Sequence, residues 1–155
     1  MTAAPKSLGA TNMINWSNAI LDSSKTGAGL FCNVIRIDGS IDTNLWSYNQ
    51  GVMIGASVLR YALSGNNTYL NQAIRIANNA LRTYGNFQTQ PPSFNVMLFQ
   101  NLLMLFPYAS TLQSAITHAI QNYGDWAWNN PAARSFRTNL FYFDDAGQPV
   151  GGTVR

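Results

Sequence analysis

The chain has 155 residues, of which 46% are apolar, 12% aromatic and only 10% charged. The charged fraction is low, because an average soluble domain is about 25% charged. Together with the aromatic content, it excludes a disordered tail, and the length indicates one globular domain. The net charge of +3 comes from nine scattered basic residues and six aspartates, and this scatter argues against nucleic-acid binding. No apolar run reaches the roughly 18 residues that a membrane span requires.

Cysteine content and surface composition indicate in which cellular or extracellular compartment the protein acts. The single cysteine, Cys32, excludes an internal disulfide framework and a multi-cysteine metal site, and no metal or other cofactor is expected. The first ten residues contain no apolar h-region, so no signal peptide is expected within this chain. A polar surface built from Asn, Gln, Ser and Thr is typical of an extracellular protein that handles neutral polymers. Sequons at Asn15 and Asn66 give that compartment weak support.

Hydrophobic periodicity predicts five helices joined by loops. In chain order they cover residues 11–21, 45–63, 68–84, 93–105 and 112–128. Residues 1–10 are expected to form a flexible lead-in, and Thr11 or Asn12 can cap the first helix. Between the first two helices, the segment 31–37 could form a short strand, and Asp38-Gly39 is a turn signal.

Two kinds of helix alternate along the chain. The second and fourth are apolar on most sides, which is typical of buried helices, whereas the third and fifth have one apolar stripe and a polar face. The buried helices start 48 residues apart, at positions 45 and 93, a plausible period for a repeated helix pair. This pattern predicts an all-α fold of paired inner and outer helices, either an α/α toroid or a helical solenoid.

The predicted helices are too few to close a ring. In an isolated chain the apolar flanks of the two inner helices would be exposed to water, and such exposed apolar surface favours association or aggregation of a soluble monomer. We therefore expect a partner for these flanks, either the missing half of a barrel or a second copy of the chain.

Aromatic and amide side chains stand at the start of both buried helices. Amides offer donors and acceptors that match sugar hydroxyls, and an aromatic ring can stack on the apolar face of a pyranose. The same residues could instead cap the helices and hold the loops, and their chemistry alone leaves both interpretations open. The candidate substrate-binding residues are Trp46, Tyr48, Asn49, Gln50, Phe94 and Asn95.

Adjacent Asp144 and Asp145 invite a catalytic interpretation, because one carboxyl group of a pair can act as an acid and the other as a nucleophile or base. Their context, FYFDDAGQP, is more typical of a turn, so they are not assigned a catalytic role. Asp38 and Asp42 precede the second helix and could approach a sugar. A lone histidine, His118, is expected to be structural, as is the lone cysteine.

Four segments of the chain, in the same order, resemble motifs of one enzyme family. They are WSYNQGVMIGA at 46–56, GNNTYL at 65–70 followed by Ala73, PPSFN at 91–95 with NLL at 101–103, and DWAW at 125–128. The family they resemble is glycoside hydrolase family 76, the endo-α-1,6-mannanases, whose fold is an (α/α)6 barrel. The likeness spans about residues 11–145, although many members have arginine where this chain has Gln100.

The resemblance implies that the whole chain, 1–155, is the C-terminal half of such a barrel: a partial (α/α)6 toroid of a secreted enzyme acting on α-mannan. The family's catalytic Asp-Asp pair stands in a W-[WY]-D-D segment of the N-terminal half, and this sequence has no such segment. No catalytic residue is therefore assigned, and the chain alone is expected to be inactive. Two alternatives stay open, an inactive half-barrel that binds polysaccharide and a helical module that self-associates.

Overall fold

In the computed structural model, residues 5–22 and 29–129 are described. Within these ranges the chain forms five helices and one two-stranded hairpin. They are α1 (Pro5–Ile20), β1 (Val34–Ile35), β2 (Ile41–Asp42), α2 (Ser47–Ser64), α3 (Asn67–Tyr84), α4 (Pro92–Leu105) and α5 (Gln113–Asn129). Two short 3-10 turns, Phe106–Tyr108 and Ser110–Leu112, connect α4 to α5. No described helix is long and apolar enough to cross a membrane.

Helices α2 to α5 begin and end close to their predicted bounds, and local signals account for the agreement. The side chain of Asn66 accepts a hydrogen bond from the backbone N–H of Thr68 at 2.9 Å and so caps α3. Gly65, with a φ of 66°, ends α2 in the left-handed region that glycine adopts without steric cost. Pro92 occupies the first turn of α4, where its missing N–H is not needed.

The prediction for the N-terminus is wrong. Helix α1 begins at Pro5, so the expected lead-in through residue 10 is helical from that point, and Thr11 and Asn12 lie inside the helix. Proline is well suited to a first helical turn, and a single interior glycine, Gly9, costs only about 1 kcal/mol, which is too little to stop a helix.

The hairpin confirms the short strand and the turn expected before α2. Strands β1 and β2 are antiparallel, with Val34 opposite Asp42 and Ile35 opposite Ile41. The turn closes where the N–H of Gly39, whose φ is 83°, donates to the carbonyl oxygen of Arg36 at 2.9 Å.

Helix α2 packs on both α3 and α4, and glycine allows its close approach to α4. A Cβ placed on Gly51 would lie 2.7 Å from the Cα of Leu98 and 2.7 Å from the carbonyl oxygen of Met97. Gly55, one turn later, meets the side chain of Asn101 in the same way. The two helix backbones therefore lie in direct contact along the glycine side of α2.

One side of α2 is left uncovered by the described residues. Val52, Leu59 and Leu63 are 47%, 54% and 78% exposed and follow one another along the helix. We call these three residues the apolar flank. Exposed Val96 and Leu103 on α4 add to the uncovered apolar surface of the inner helices.

Candidate functional site

The N-terminal ends of α2 and α4 bring three aromatic rings together. The ring centroid of Tyr48 lies 4.5 Å from that of Phe94, and the ring of Trp46 lies 5.7 Å from Phe94 in an edge-on arrangement. All three side chains are half-buried. We call them the aromatic group, and its partly exposed rings offer apolar surface at the helix starts.

A set of hydrogen-bonded polar side chains adjoins the aromatic group through the hydroxyl of Tyr48. We call this set, Asn33, Asp42, Tyr48 and Asn49, the polar group. The Tyr48 hydroxyl donates to Oδ1 of Asn33 at 2.8 Å, and Nδ2 of Asn49 donates to the same oxygen at 3.5 Å. Nδ2 of Asn33 in turn donates to Oδ2 of Asp42 at 3.1 Å. The chain of contacts ties the end of the hairpin to the first turn of α2.

The carboxylate of Asp42 is held in place from several sides. The hydrogen bond from the side chain of Asn33 is the main cause that keeps the pKa of Asp42 below its usual value. A bond from the backbone N–H of Asn44, at 3.1 Å to Oδ1, acts in the same direction. Partial desolvation opposes these effects, and the Arg36 guanidinium, 3.6 Å from Oδ2, adds to them. Asp42 is therefore ionised at neutral pH.

A cavity of about 250 Å³ lies between α1, residues 31–33 and α2. Asn33, Tyr48 and Asn49 contribute polar side chains to its lining, and most of its exposed wall is apolar. The full lining is Ser17, Leu21, Phe31, Cys32, Asn33, Tyr48, Asn49, Val52 and Met53.

Burial raises the pKa of the Cys32 thiol, and the negative charges of Asp22 and Asp42 raise it further. The thiol is therefore protonated at neutral pH and is not an activated nucleophile. This environment agrees with the structural role expected for Cys32.

Gln50 is buried beneath the accessible residues of the site and anchors the loop that precedes the hairpin. Its Oε1 accepts from the backbone N–H of Phe31 at 2.7 Å, and its Nε2 donates to the carbonyl oxygen of Phe31 at 2.9 Å. Nε2 also donates to the carbonyl oxygen of Trp46 at 3.0 Å. Because the side chain is fully buried, its amide serves the backbone.

Asn95 occupies a similar buried position at the start of α4. Its Nδ2 donates to the carbonyl oxygen of Phe87 at 2.8 Å and, at 3.5 Å, to that of Gln90. Phe87 is fully buried and has a φ of 63°, an unfavourable backbone conformation for a residue with a side chain. The amide of Asn95 therefore stabilises a strained loop, and Oε1 of Gln90 accepts from the N–H of Ser47 at the start of α2 at 2.8 Å.

The six candidate residues thus separate into two sets. Trp46, Tyr48, Asn49 and Phe94 lie together with part of each side chain accessible, whereas Gln50 and Asn95 are fully buried. The loop-holding interpretation, which the sequence left open, accounts for the buried pair. Contact with a substrate stays a prediction for the accessible set.

Sequence reasoning missed Asn33, which connects the hairpin to the site. Its neighbours give no motif, and only the pairing of the two strands reveals that its amide faces Asp42 and Tyr48. Asp42 was expected to approach a sugar, and it lies in the polar group. Asp38 lies in the exposed turn, where it accepts two hydrogen bonds from Ser40.

Further points concern the other aspartates, the lone histidine and the possibility of a metal site. Asp22 forms an ion pair with Arg75 at 2.7 Å, and His118 is exposed on α5. Asp144, Asp145 and the hairpin or long loop expected after residue 130 lie outside the described residues. Within the described ranges, no group of three or more His, Cys, Asp or Glu side chains could hold a metal ion.

Comparisons with known proteins agree with the fold. The match to a solved structure of a GH76 α-mannanase from Bacteroides thetaiotaomicron has a TM-score of 0.63 and 18% sequence identity. It covers 91% of this chain but only 38% of the mannanase. This confirms the predicted fold class, an all-α partial (α/α)6 toroid.

The sequence comparisons identify the family. No curated protein matches the chain. The model of the family described as "Glycosyl hydrolase family 76" matches residues 8–139, which is most of the sequence. The chain therefore belongs to glycoside hydrolase family 76.

Proposed function

We propose that this chain forms one wall of the substrate cleft of an extracellular glycoside hydrolase that cleaves α-1,6-mannosidic bonds in mannan. The observation that carries the proposal is the meeting of the aromatic group and the polar group at the starts of two inner helices, in a member of family 76. We propose an extracellular location as well, which accords with an external polymer as substrate.

The residue types at this wall suit a neutral polysaccharide. The rings of Trp46 and Phe94 offer apolar faces for a pyranose ring, and the Tyr48 hydroxyl and the Asn49 amide offer hydrogen bonds for its hydroxyl groups. Mannan carries no charge, so the wall needs no charged contact to bind it. Gln50 and Asn95 serve the wall indirectly by fixing the loops on which it stands.

The hydrolysis itself requires two carboxylates, one that acts as acid and one that acts as nucleophile or base. Three of the described carboxylates already have structural partners: Asp22 pairs with Arg75, Asp38 accepts from Ser40, and Asp42 accepts from Asn33. We propose that the catalytic Asp-Asp pair lies outside these 155 residues.

The inactivity of the chain by itself is tested with an assay of reducing ends released from α-1,6-mannan. The 155-residue chain is expected to release none above a buffer blank. Hydrolysis by this chain that disappears in Asp144→Asn or Asp145→Asn would place the carboxylates within it and overturn this part of the proposal.

The binding role is tested by electrophoresis in native gels that contain α-1,6-mannan. The chain is expected to be retarded in this gel and not in one containing β-1,4-mannan. Trp46→Ala and Phe94→Ala should each abolish most of the retardation. The matched control is Trp128→Ala, because Trp128 lies on α5 and is 72% exposed. Equal retardation of all variants would contradict the proposed wall.

The apolar flank supports a second element of the proposal, a partner for the inner helices. Val52, Leu59 and Leu63 expose more apolar surface than scattered single residues would. We propose that the remainder of an (α/α)6 barrel covers this flank, supplied either by the missing half or by a second copy of the chain. The self-associating alternative rests on the same residues.

A further inference from the structure

The carboxylate of Asp42 fixes which way the amide of Asn33 points. An ionised carboxylate can only accept hydrogen bonds, whereas an asparagine side chain has one end that donates and one that accepts. Oδ2 of Asp42 lies 3.1 Å from Nδ2 of Asn33, while the N–H of Asn44 holds the other carboxylate oxygen. The reverse orientation of Asn33 would set two acceptor oxygens against each other.

The direction of the amide then fixes the role of Tyr48. With its Nδ2 committed to Asp42, Asn33 presents Oδ1 to the Tyr48 hydroxyl, 2.8 Å away. A hydroxyl has one proton, and this proton is given to Asn33. Toward any further partner, the Tyr48 oxygen can act only as an acceptor. Nδ2 of Asn49 is directed at the same Asn33 oxygen, at 3.5 Å.

The cavity beside these groups limits what can lie against them. Its volume is about 250 Å³, below the roughly 300–1,000 Å³ of sites that enclose drug-sized ligands. Asn33, Tyr48 and Asn49 supply polar groups to its lining, and its wall is otherwise mostly apolar. A single sugar unit of a longer chain fits this combination of size and chemistry better than a charged or extended group.

We infer that Asp42, acting through Asn33, is a positioning residue that makes Tyr48 an obligate hydrogen-bond acceptor, so that the cavity lined by Tyr48 selects a sugar unit with a hydroxyl that donates to this residue. The inference rests on the proposed function, because the sugar is taken to be part of α-1,6-mannan. The inference specifies which group donates and which accepts in the hydrogen bond between Tyr48 and the sugar. A purely structural role of Asp42 would not determine that direction.

The test uses α-1,6-mannobiose and a series of derivatives in which one hydroxyl at a time is replaced by fluorine, which cannot donate. Affinities are measured with the 155-residue chain by NMR titration. At one hydroxyl, fluorine should weaken binding about tenfold, the size of one good hydrogen bond. Asp42→Asn removes the constraint, because the new amide can pair with either end of Asn33. That variant should discriminate less than about threefold at the same hydroxyl.

Two further variants sharpen the comparison. Tyr48→Phe lacks the acceptor oxygen and should also lose the discrimination between hydroxyl and fluorine. Asp38→Asn is the matched control, since Asp38 lies in the same hairpin but binds Ser40, and it should keep the tenfold difference. A folded Asp42→Asn variant that keeps the full discrimination would overturn the inference.

A readout without sugar keeps the inference testable if mannobiose does not bind, an outcome that would count against the proposed function. The side-chain NH₂ resonances of Asn33 should shift in Asp42→Asn and stay in place in Asp38→Asn. Resonances that do not respond to Asp42→Asn would show that the carboxylate does not orient the amide, and the inference would fail on its own.

Discussion

At the scale of single residues, buried amide side chains replace backbone pairing at the base of the site. The side chain of Gln50 satisfies both the N–H and the carbonyl oxygen of Phe31, and its Nε2 also bonds the carbonyl oxygen of Trp46. Asn95 plays the corresponding part for the loop around Phe87. These two amides hold the backbone of the candidate site in place, and this role requires no contact with a substrate.

Replacing Gln50 with alanine should lower the free energy of unfolding by about 1–3 kcal/mol, the cost of leaving buried backbone groups without partners. Urea denaturation followed by circular dichroism measures the change. Gln100→Ala serves as the control because Gln100 is exposed on α4, and a change within about 0.5 kcal/mol is expected. Similar values for the two variants would contradict the role assigned to Gln50.

The pH dependence of stability should report on Asp42. Because its pKa is lower in the folded chain than in the unfolded chain, its stabilising contribution is present above about pH 4, the ordinary value for aspartate. The contribution is lost as the pH falls through the folded pKa. Denaturation between pH 6 and pH 2 should show wild type losing stability more steeply than Asp42→Asn. Parallel curves for the two proteins would contradict this assignment.

At the scale of elements, the contact between α2 and α4 depends on glycine. Gly51→Ala would place a methyl group 2.7 Å from the backbone of Leu98 and Met97, and the helices would have to separate. The expected loss is about 1–3 kcal/mol, as for other overpacked cores. Thermal or urea denaturation measures it.

The matched control for this contact is Gly124→Ala. Gly124 lies within α5, and a methyl group there would meet no atom of the described residues within 4 Å outside the backbone of its own helix. Alanine should therefore stabilise the helix by about 0.5–1 kcal/mol. Destabilisation of the same size at both glycines would contradict the role assigned to the α2–α4 contact, because alanine at Gly124 should gain helix propensity without a clash.

Most of the elements were predictable because their signals are local. The periodic apolar residues, the Asn66 cap and the glycine after α2 lie within or beside the helix they specify. The start of α1 was not predictable in this way, since residues 1–10 lack a marked apolar stripe and Thr11 and Asn12 offer plausible caps that the helix does not use. The arrangement of the candidate site was not predictable from local signals, because Asn33 and Tyr48 meet only through tertiary packing.

The family motif pointed to the candidate site without separating its residues by role. In the sequence Tyr48-Asn49-Gln50 all three residues could bind sugar hydroxyls. The structure places Asn49 in the lining of the cavity and Gln50 in the core, because neighbouring positions on a helix lie about 100° apart. Which of them faces inward depends on where the Phe31 loop lies, and that contact is 19 residues away along the chain.

At the scale of the whole molecule, the apolar flank should govern the state of association. The 155-residue chain is expected to self-associate at micromolar concentrations, because Val52, Leu59 and Leu63 remain exposed. Leu59→Lys should shift sedimentation profiles toward the monomer. Ile37→Lys is the control, since Ile37 is fully exposed in the hairpin turn, away from α2. A monomeric wild-type chain would contradict the prediction.

The double contact between Gln50 and Phe31 also has a kinetic consequence. The amide proton of Phe31 lies outside the named helices and strands, yet its acceptor is a buried side chain on α2. It can exchange with deuterated solvent only when the first turn of α2 opens or the loop detaches. Native-state hydrogen exchange should therefore group the Phe31 amide with the core of α2, so that a loop residue and a helix open as one unit.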